Sequence, residues 1–292
     1  MFPNNLIILH NWVLHFGQIN SIINIICKNK NIVYNLRGCV NIFTKEDLTE
    51  NLKQLGIKRS DNVLVHSSMK SIGAVDGGAD TVLDVFCEYL AESGNIALPS
   101  HSWDTINDEH NIFDPKTEPC CVGLLPNLFI KRKGVLRSLH PTHSIAITGK
   151  DAEDFVRDEH LIDTPCGRMG CWGKLYDYNF KIMFLGCGTK CNTYIHGVEE
   201  WCEVPDRITD HYHKFKIVMP DGSLFDRDMR RHRCLSTENL SGNYDRIQPF
   251  MEKEGLAVKG KFGDADCVIE TARDIYDVTV KLLSENINFF AD

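Results

Sequence analysis

The sequence predicts a layered α/β domain built on a mixed sheet. Three observations carry this. Short apolar runs such as NVLVHSS (62–68) and KIMFLGCG (181–188) alternate with amphipathic stretches, the pattern of strands interleaved with helices. GGADTVLDVFCEYLAESG (77–94) sets Val82, Val85, Phe86, Tyr89 and Leu90 near the helical period. KFKIVMPDGSLF (214–225) holds an Asp-Gly turn between apolar segments, so some pairing is antiparallel.

In chain order, TKEDLTENLKQLGIKRSD (44–61) reads as a helix. Thr44 caps it, Asp47 completes a capping box, and Gly56 ends it. The strand 62–68 and the helix 77–94 follow. NIALPSHSW (95–103) is the next strand, and 124–133 a helix. SIAITG (144–149) is a strand and AEDFVRD (152–158) a short helix. After the strand 181–188, NTYIHGVEEWCEV (192–204) is a helix that Asn192 and Thr193 can cap. The hairpin 214–225 comes next, then helices near 244–254 and 268–286. Strand order is not legible at this level.

The chain has 292 residues, a net charge of −8 and a pI near 5.8. The acidic balance argues against a nucleic-acid surface and suits a cationic small molecule. Residues 1–40 hold broken apolar runs, none near the ~18 residues that a membrane span needs. They lack a basic start and a small-residue cleavage site, so they make a poor signal peptide. They are expected to be an extension outside the main fold (41–292), either poorly ordered or a helix docked on a partner chain. The cytoplasm is the default location. The twelve cysteines contain no CxxC pair, which points to reduced thiols rather than a metal site.

Four segments carry chemistry. VHSSMKSIGAVDGGAD (65–80) ends a strand in serines, a lysine and glycines, the makings of an anion cradle, but also of a plain strand–helix connection. It is neither a P-loop nor a dinucleotide fingerprint. SHSWDTINDEHNIFDP (100–115) gathers Trp103 and several carboxylates beyond a strand end, where α/β sheets place ligands. A solvated acidic loop is the alternative. RSLHPTHS (137–144) and DEHLIDTPCGRMGCWGKL (158–175) bring His140, His143 and His160 near Glu159 and Asp163 in sequence, a general-base composition. FLGCGTKCNTYIHGVEEW (184–201) sets His196 and Glu199 three apart on one helix face.

In order, VHSSMKSIG with GGAD, LPSHSW, FDPKTEP, GVLRSLHPTHS, HLIDTPCGRMGCWGKL and FLGCGTKCNTYIHGVEE resemble the aminoglycoside 3-N-acetyltransferase family. The weaker NYDRIQ and GKFGDAD lie near the end. The resemblance spans about residues 44–285 and leaves 1–40 unmatched. It implies a three-layer α/β/α sandwich distinct from the GNAT fold, and a cytosolic, antibiotic-resistance type of enzyme that moves an acetyl group from acetyl-coenzyme A to an amine. It implies a coenzyme cradle of His66, Ser67, Ser68, Met69, Lys70, Ser71, Ile72 and Gly73, with Arg137 a further phosphate candidate on charge alone. Catalysis falls to His160, oriented by Asp163 or Asp104, with Asn192 or Thr193 holding the oxyanion. Trp103, Asp104, Glu199 and His140 fall on the substrate side, His140 as a shaping residue. No metal is required. The family's Ser-Pro pair is Gly170–Cys171 here, and its Leu-Asp is Ile-Asp, which leaves the acceptor open.

The alternatives are an amino sugar or other primary amine as acceptor, a non-catalytic coenzyme A binder, and a metalloprotein built on DHYH (210–213). A cysteine nucleophile among Cys166, Cys171 and Cys187 is the alternative to direct transfer. Neither membrane nor nucleic acid is an expected partner. A homodimer is the assembly expected.

Overall fold

A computed structural model describes residues 32–35, 38–233 and 240–291. The chain divides into two units, 1–41 and 42–292. In the first, most of the extension lies outside the described residues. Its described part is an antiparallel pair of Ile32–Asn35 with the start of Gly38–Phe43.

In the second unit, alternating apolar residues make a two-sided sheet. Its order is Val258–Phe262, Ala265–Thr271, Lys181–Leu185, Asn62–Ser67, Asn95–Pro99, Ile145–Gly149 and Leu136–Arg137. The three middle strands, Lys181–Leu185, Asn62–Ser67 and Asn95–Pro99, run parallel. Every outer pairing is antiparallel, so the sheet is mixed.

The two-residue strand period sorts side chains to opposite faces. Leu64, Ala97, Ile145, Ile147, Ile182 and Phe184 face one way. They pack on Trp172 and Leu175 of Cys171–Asp177, on Tyr194 and Val198 of Thr193–Trp201, and on Ile275 and Leu282 of Ala272–Glu285. Val63, Val65, Ile96, Leu98, Met183 and Leu185 face the other way. They meet Leu48 and Leu52 of Lys45–Gln54, Val82 and Phe86 of Gly78–Leu90, and Phe129 of Leu124–Phe129. Each of the fully buried Val, Leu, Ile, Met and Phe side chains contributes about 1.5–3 kcal/mol of transfer free energy. The result is the expected three-layer α/β/α sandwich.

Several local expectations hold. Thr44 and Asp47 form the capping box, and Asn192 caps Thr193–Trp201 through the Tyr194 N–H. The hairpin pairs His213–Val218 with Leu224–Met229 across Pro220–Gly222. With Ile112–Phe113 it forms a second small sheet around Phe113, Phe215, Ile217 and Met229. Other expectations change. The strand at 95 ends at Pro99; beyond it the Ser100 and Ser102 N–H groups still reach the carbonyls of Ser144 and Thr142, as isolated bonds outside the strand. Residues 265–271 are strand, so the last helix begins at Ala272, capped by Thr271. The segment 240–253 is a 3-10 turn followed by Gln248–Lys253. The helix Cys171–Asp177 had no reading in the sequence.

Candidate functional site

The three parallel strands deliver Ser67, Pro99 and Leu185 to one end of the sheet, together with the turns that follow them. The antiparallel neighbour Ile145–Gly149 begins at the same end, so HPTHS enters beside SHS. This topology joins all four chemical segments.

The cradle turn 66–73 is braced on the turn after Leu185. The Ser68 N–H donates to the Leu185 carbonyl at 2.8 Å. Ser71 Oγ donates to the Gly186 carbonyl at 2.9 Å and lies 3.0 Å from Ser68 Oγ. Gly186 has φ +66, and a Cβ there would stand 2.4 Å from the Ser71 Cβ, so only glycine permits this approach. Met69 to Ile72 form a single 3-10 turn ending at Gly73. Ser67, Ser68 and Met69 are half-buried and Ile72 is buried. Lys70 is exposed and has no ion pair among the described residues. His66 is buried and stacked on Phe184, its Nε2 without a partner. Burial pulls its pKa down to about 4.

The RSLHPTHS stretch is internal. His140 is fully buried; its Nδ1 accepts from the N–H groups of Thr142 and His143, at 3.2 and 2.9 Å. Its Nε2 lies 3.0 Å from the Thr164 carbonyl and so carries the proton donated there. With both nitrogens engaged, His140 shapes the turn and is closed to substrate. Arg137, the phosphate candidate on charge alone, points inward. Its guanidinium donates inward to Ser144 Oγ (3.0 Å), the Ser100 carbonyl (2.7 Å) and the Glu118 carbonyl (2.5 Å), and stacks on Phe113. Burial lowers its pKa to about 10.

Glu199 also points inward. It is 1% exposed, with Oε1 held by Arg207 Nε at 2.9 Å and Oε2 by the Tyr244 hydroxyl. Both carboxylate oxygens are thus engaged within the protein. Trp103 and Asp104 are exposed beyond the strand end, and the Trp103 carbonyl accepts from Arg231 at 2.7 Å. His160 is half-buried and meets Phe225 edge-on at 5.1 Å. Among the described residues its ring makes no hydrogen bond. The Asp163 carboxylate pairs with Arg227 at 3.8 Å, and the Asp163 carbonyl accepts from the Arg230 N–H. His160 and its expected carboxylates are thus not joined, whereas Thr164 ties their segment to His140.

The sequence missed a histidine cluster. His101, quoted only as part of LPSHSW, lies 4.8 Å from His143 between ring centroids. His143 lies 4.8 Å from His232, which stacks on His196 at 4.3 Å. His232 comes from the chain after the hairpin, and Tyr244 from the following turn, both far away in sequence. No local spacing announces them. Burial holds His101, His143 and His232 well below the ordinary histidine pKa. Among the described residues the Nε2 atoms of His101 and His232 have no hydrogen-bond partner, nor has Asn192 Nδ2.

Cys166 and Cys171 are fully buried and their thiols are pushed up by burial, so neither is a ready thiolate. A hydrogen bond from Cys187 lowers Cys191 to about 6 and raises Cys187. Among the described residues no group of three or more His, Cys, Asp or Glu could hold a metal ion. Within DHYH, His213 pairs with Asp108 at 2.8 Å. No described helix is long and apolar enough to cross a membrane.

The family model described as Aminoglycoside 3-N-acetyltransferase matches residues 64–284. The SPbeta prophage-derived aminoglycoside N(3')-acetyltransferase-like protein YokD of Bacillus subtilis (strain 168) is 31% identical over 176 residues, covering 53% of this chain and 64% of that protein. Aminoglycoside N(3)-acetyltransferase VII of Streptomyces paromomycinus is 25% identical, over 84% of this chain and 92% of that one. A solved structure described as AAC-IIIb binary with CoASH superposes with a TM-score of 0.74 at 23% identity, over 84% of this chain and 97% of that chain. That likeness concerns the fold, which is not the GNAT fold. With three quarters of its length inside the family match, this chain belongs to the aminoglycoside 3-N-acetyltransferase family.

Proposed function

We propose that this protein transfers the acetyl group of acetyl-coenzyme A to an amine of an aminoglycoside, at the 3-N position, by direct attack assisted by a general base. The observation that carries this reading is the meeting of the serine-lined turn 66–73 with a histidine cluster at the C-terminal end of the parallel strands. The relatives' names and the CoASH bound by AAC-IIIb support the choice of co-substrates.

The cradle fits the coenzyme on this chain's own terms. Gly186 lets two turns approach closely, Lys70 is an exposed cation without an ion pair among the described residues, and the N-terminal amides of Gly78–Leu90 follow the turn with no side-chain cap. Ser67, Ser68 and Met69 line it, and Ile72 and Gly73 fix its exit. Trp103 and Asp104 offer an exposed ring and carboxylate to a cationic sugar.

An alkylammonium has no free electron pair until a proton leaves. An imidazole at this end of the sheet takes that proton, and the freed nitrogen attacks the thioester carbonyl. Asn192 Nδ2, a buried donor without a partner among the described residues, suits the developing oxyanion. His160 is the imidazole that the family-like motif puts forward as base, and its half-exposure suits contact with substrate. A thiol-release assay with acetyl-coenzyme A and a panel of aminoglycosides and amino sugars tests the reading. Turnover with aminoglycosides is expected. Turnover with amino sugars alone replaces the acceptor, and no turnover with any amine removes the activity.

A further inference from the structure

The turn after Lys181–Leu185 carries two thiols that acetyl transfer leaves unused. Cys187 follows Gly186, and Cys191 ends the single 3-10 turn Thr189–Cys191. The N–H groups of Cys191 and Asn192 donate back to the carbonyls of Gly188 and Thr189, at 3.1 and 3.0 Å. This winding brings the two side chains together, and the Cys187 thiol donates to the Cys191 sulfur. Cys191 is exposed and Cys187 half-buried. The hydrogen bond, with the Lys190 ammonium beside it, draws Cys191 down to about 6, so Cys191 is mostly thiolate at pH 7. The same bond, together with burial, pushes Cys187 up. An accessible thiolate next to a second thiol is the arrangement that reacts with hydroperoxides and then closes on itself. Cys267 also faces Cys187, but it is 2% exposed and burial pushes its thiol up to about 12, so it is a poor rival.

We propose that Cys187 and Cys191 are a site of reversible oxidation by hydroperoxides, Cys191 the attacking sulfur and Cys187 the resolving one, and that their disulfide weakens coenzyme A binding at the adjoining turn 66–73. The coenzyme part rests on the acetyl-transfer reading; the thiol chemistry does not. The Cys191 thiolate attacks one peroxide oxygen. The S–O bond forms as the O–O bond breaks, and the departing hydroxide or alkoxide takes a proton from solvent. Sulfur is oxidised to the sulfenic acid, and the peroxide is reduced to water or an alcohol. The Cys187 sulfur then attacks the sulfenic sulfur. The S–S bond forms as the S–O bond breaks, and the hydroxide leaves as water with the Cys187 proton. Closure draws the sulfurs from hydrogen-bond contact to the ~2.0 Å of a disulfide. Both flanks of the turn belong to the candidate site. The Gly186 carbonyl accepts the Ser71 hydroxyl that braces the cradle, and Asn192 caps Thr193–Trp201. The bridge therefore pulls on the Gly186–Ser71 contact.

The test treats the full chain with hydrogen peroxide at pH 7 and maps its thiols by mass spectrometry. Coenzyme A calorimetry is run before oxidation, after it, and after dithiothreitol. A Cys187–Cys191 bridge is expected, with coenzyme A affinity lowered about tenfold, the worth of one lost hydrogen bond of the brace, and restored by the reductant. Cys187→Ser should stop at a sulfenic acid on Cys191 that dimedone traps. Cys191→Ser, a change at an exposed position, should form no bridge and show one coenzyme A affinity with and without peroxide. Thiols that stay free at peroxide levels that oxidise glutathione, or a Cys191 bridged to any other cysteine, overturn the oxidation site. A bridged protein with unchanged coenzyme A affinity overturns its coupling to the cradle. A reduced wild type that binds no coenzyme A overturns the functional reading beneath, while the peptide map still judges the thiols.

Discussion

Replacing Arg137 by methionine separates two roles that charge alone cannot. The side chain ties the strand Leu136–Arg137 to the loop around Glu118 and to Ser100, below the histidine cluster. Methionine keeps most of the stem but removes four donor contacts, a long one to the Pro115 carbonyl among them, and the stacking on Phe113. Ser100's carbonyl keeps the Ser144 hydroxyl at 2.7 Å, whereas Glu118's carbonyl loses this donor. Hydrogen bonds to a charged donor contribute about 1.5–3 kcal/mol each. Relief from burying the charge offsets part of this. A net loss of roughly 2–4 kcal/mol follows from these two terms. Urea unfolding of the full chain reads the loss, and calorimetry reads coenzyme A affinity. The reasoning fails if the variant keeps its unfolding midpoint while coenzyme A affinity falls tenfold, because the guanidinium would then be a phosphate ligand.

Three further outcomes follow from the same geometry. His66 stays neutral when buried, with a folded pKa of about 4 against the ordinary histidine value of 6.5. The unfolded chain therefore takes that proton first, and the group destabilises the fold as pH drops from about 6.5 toward 4. His66→Phe should lose less stability than wild type between pH 7 and pH 5, by about 2 kcal/mol in paired urea titrations; parallel curves would contradict it. Gly186→Ala forces a methyl against Ser71 at positive φ, so coenzyme A binding should weaken tenfold or more by calorimetry, and an unchanged Kd would refute the braced-turn account. Cys191, lowered to about 6 and exposed, should react first with iodoacetamide at pH 7, with Cys166 and Cys171 last in peptide mapping; early labelling of Cys166 would contradict the burial argument.

Local chemistry was legible in the sequence where it is local in space. The capping box of Thr44 and Asp47, the Asn192 cap and the Asp-Gly hairpin depend on neighbours three or four residues apart. The short apolar runs in 62–67 and 181–185 read correctly as strands because both sheet faces are buried. The strand at 265–271 was lost because its apolar residues run straight into those of the following helix, so the period changes without a break. The strand 95–99 was overextended because SHS continues the pairing with HPTHS by side-chain and isolated backbone bonds. Within the site, the cradle turn was visible as serine and glycine chemistry. The roles of His140, Arg137 and Glu199 were not, since a sequence shows their charge but not that carbonyls and hydroxyls consume it. His232 and Tyr244 reach His196 only through tertiary packing, which no spacing encodes.

The most direct test of the central claim, acetyl transfer at the strand-end site, is mass spectrometry of an aminoglycoside incubated with the protein and acetyl-labelled coenzyme A. The account predicts a singly acetylated drug, labelled at the 3-amino group, with one thiol released per product. An unmodified drug together with undetectable coenzyme A binding, under conditions where the protein remains folded, would contradict it.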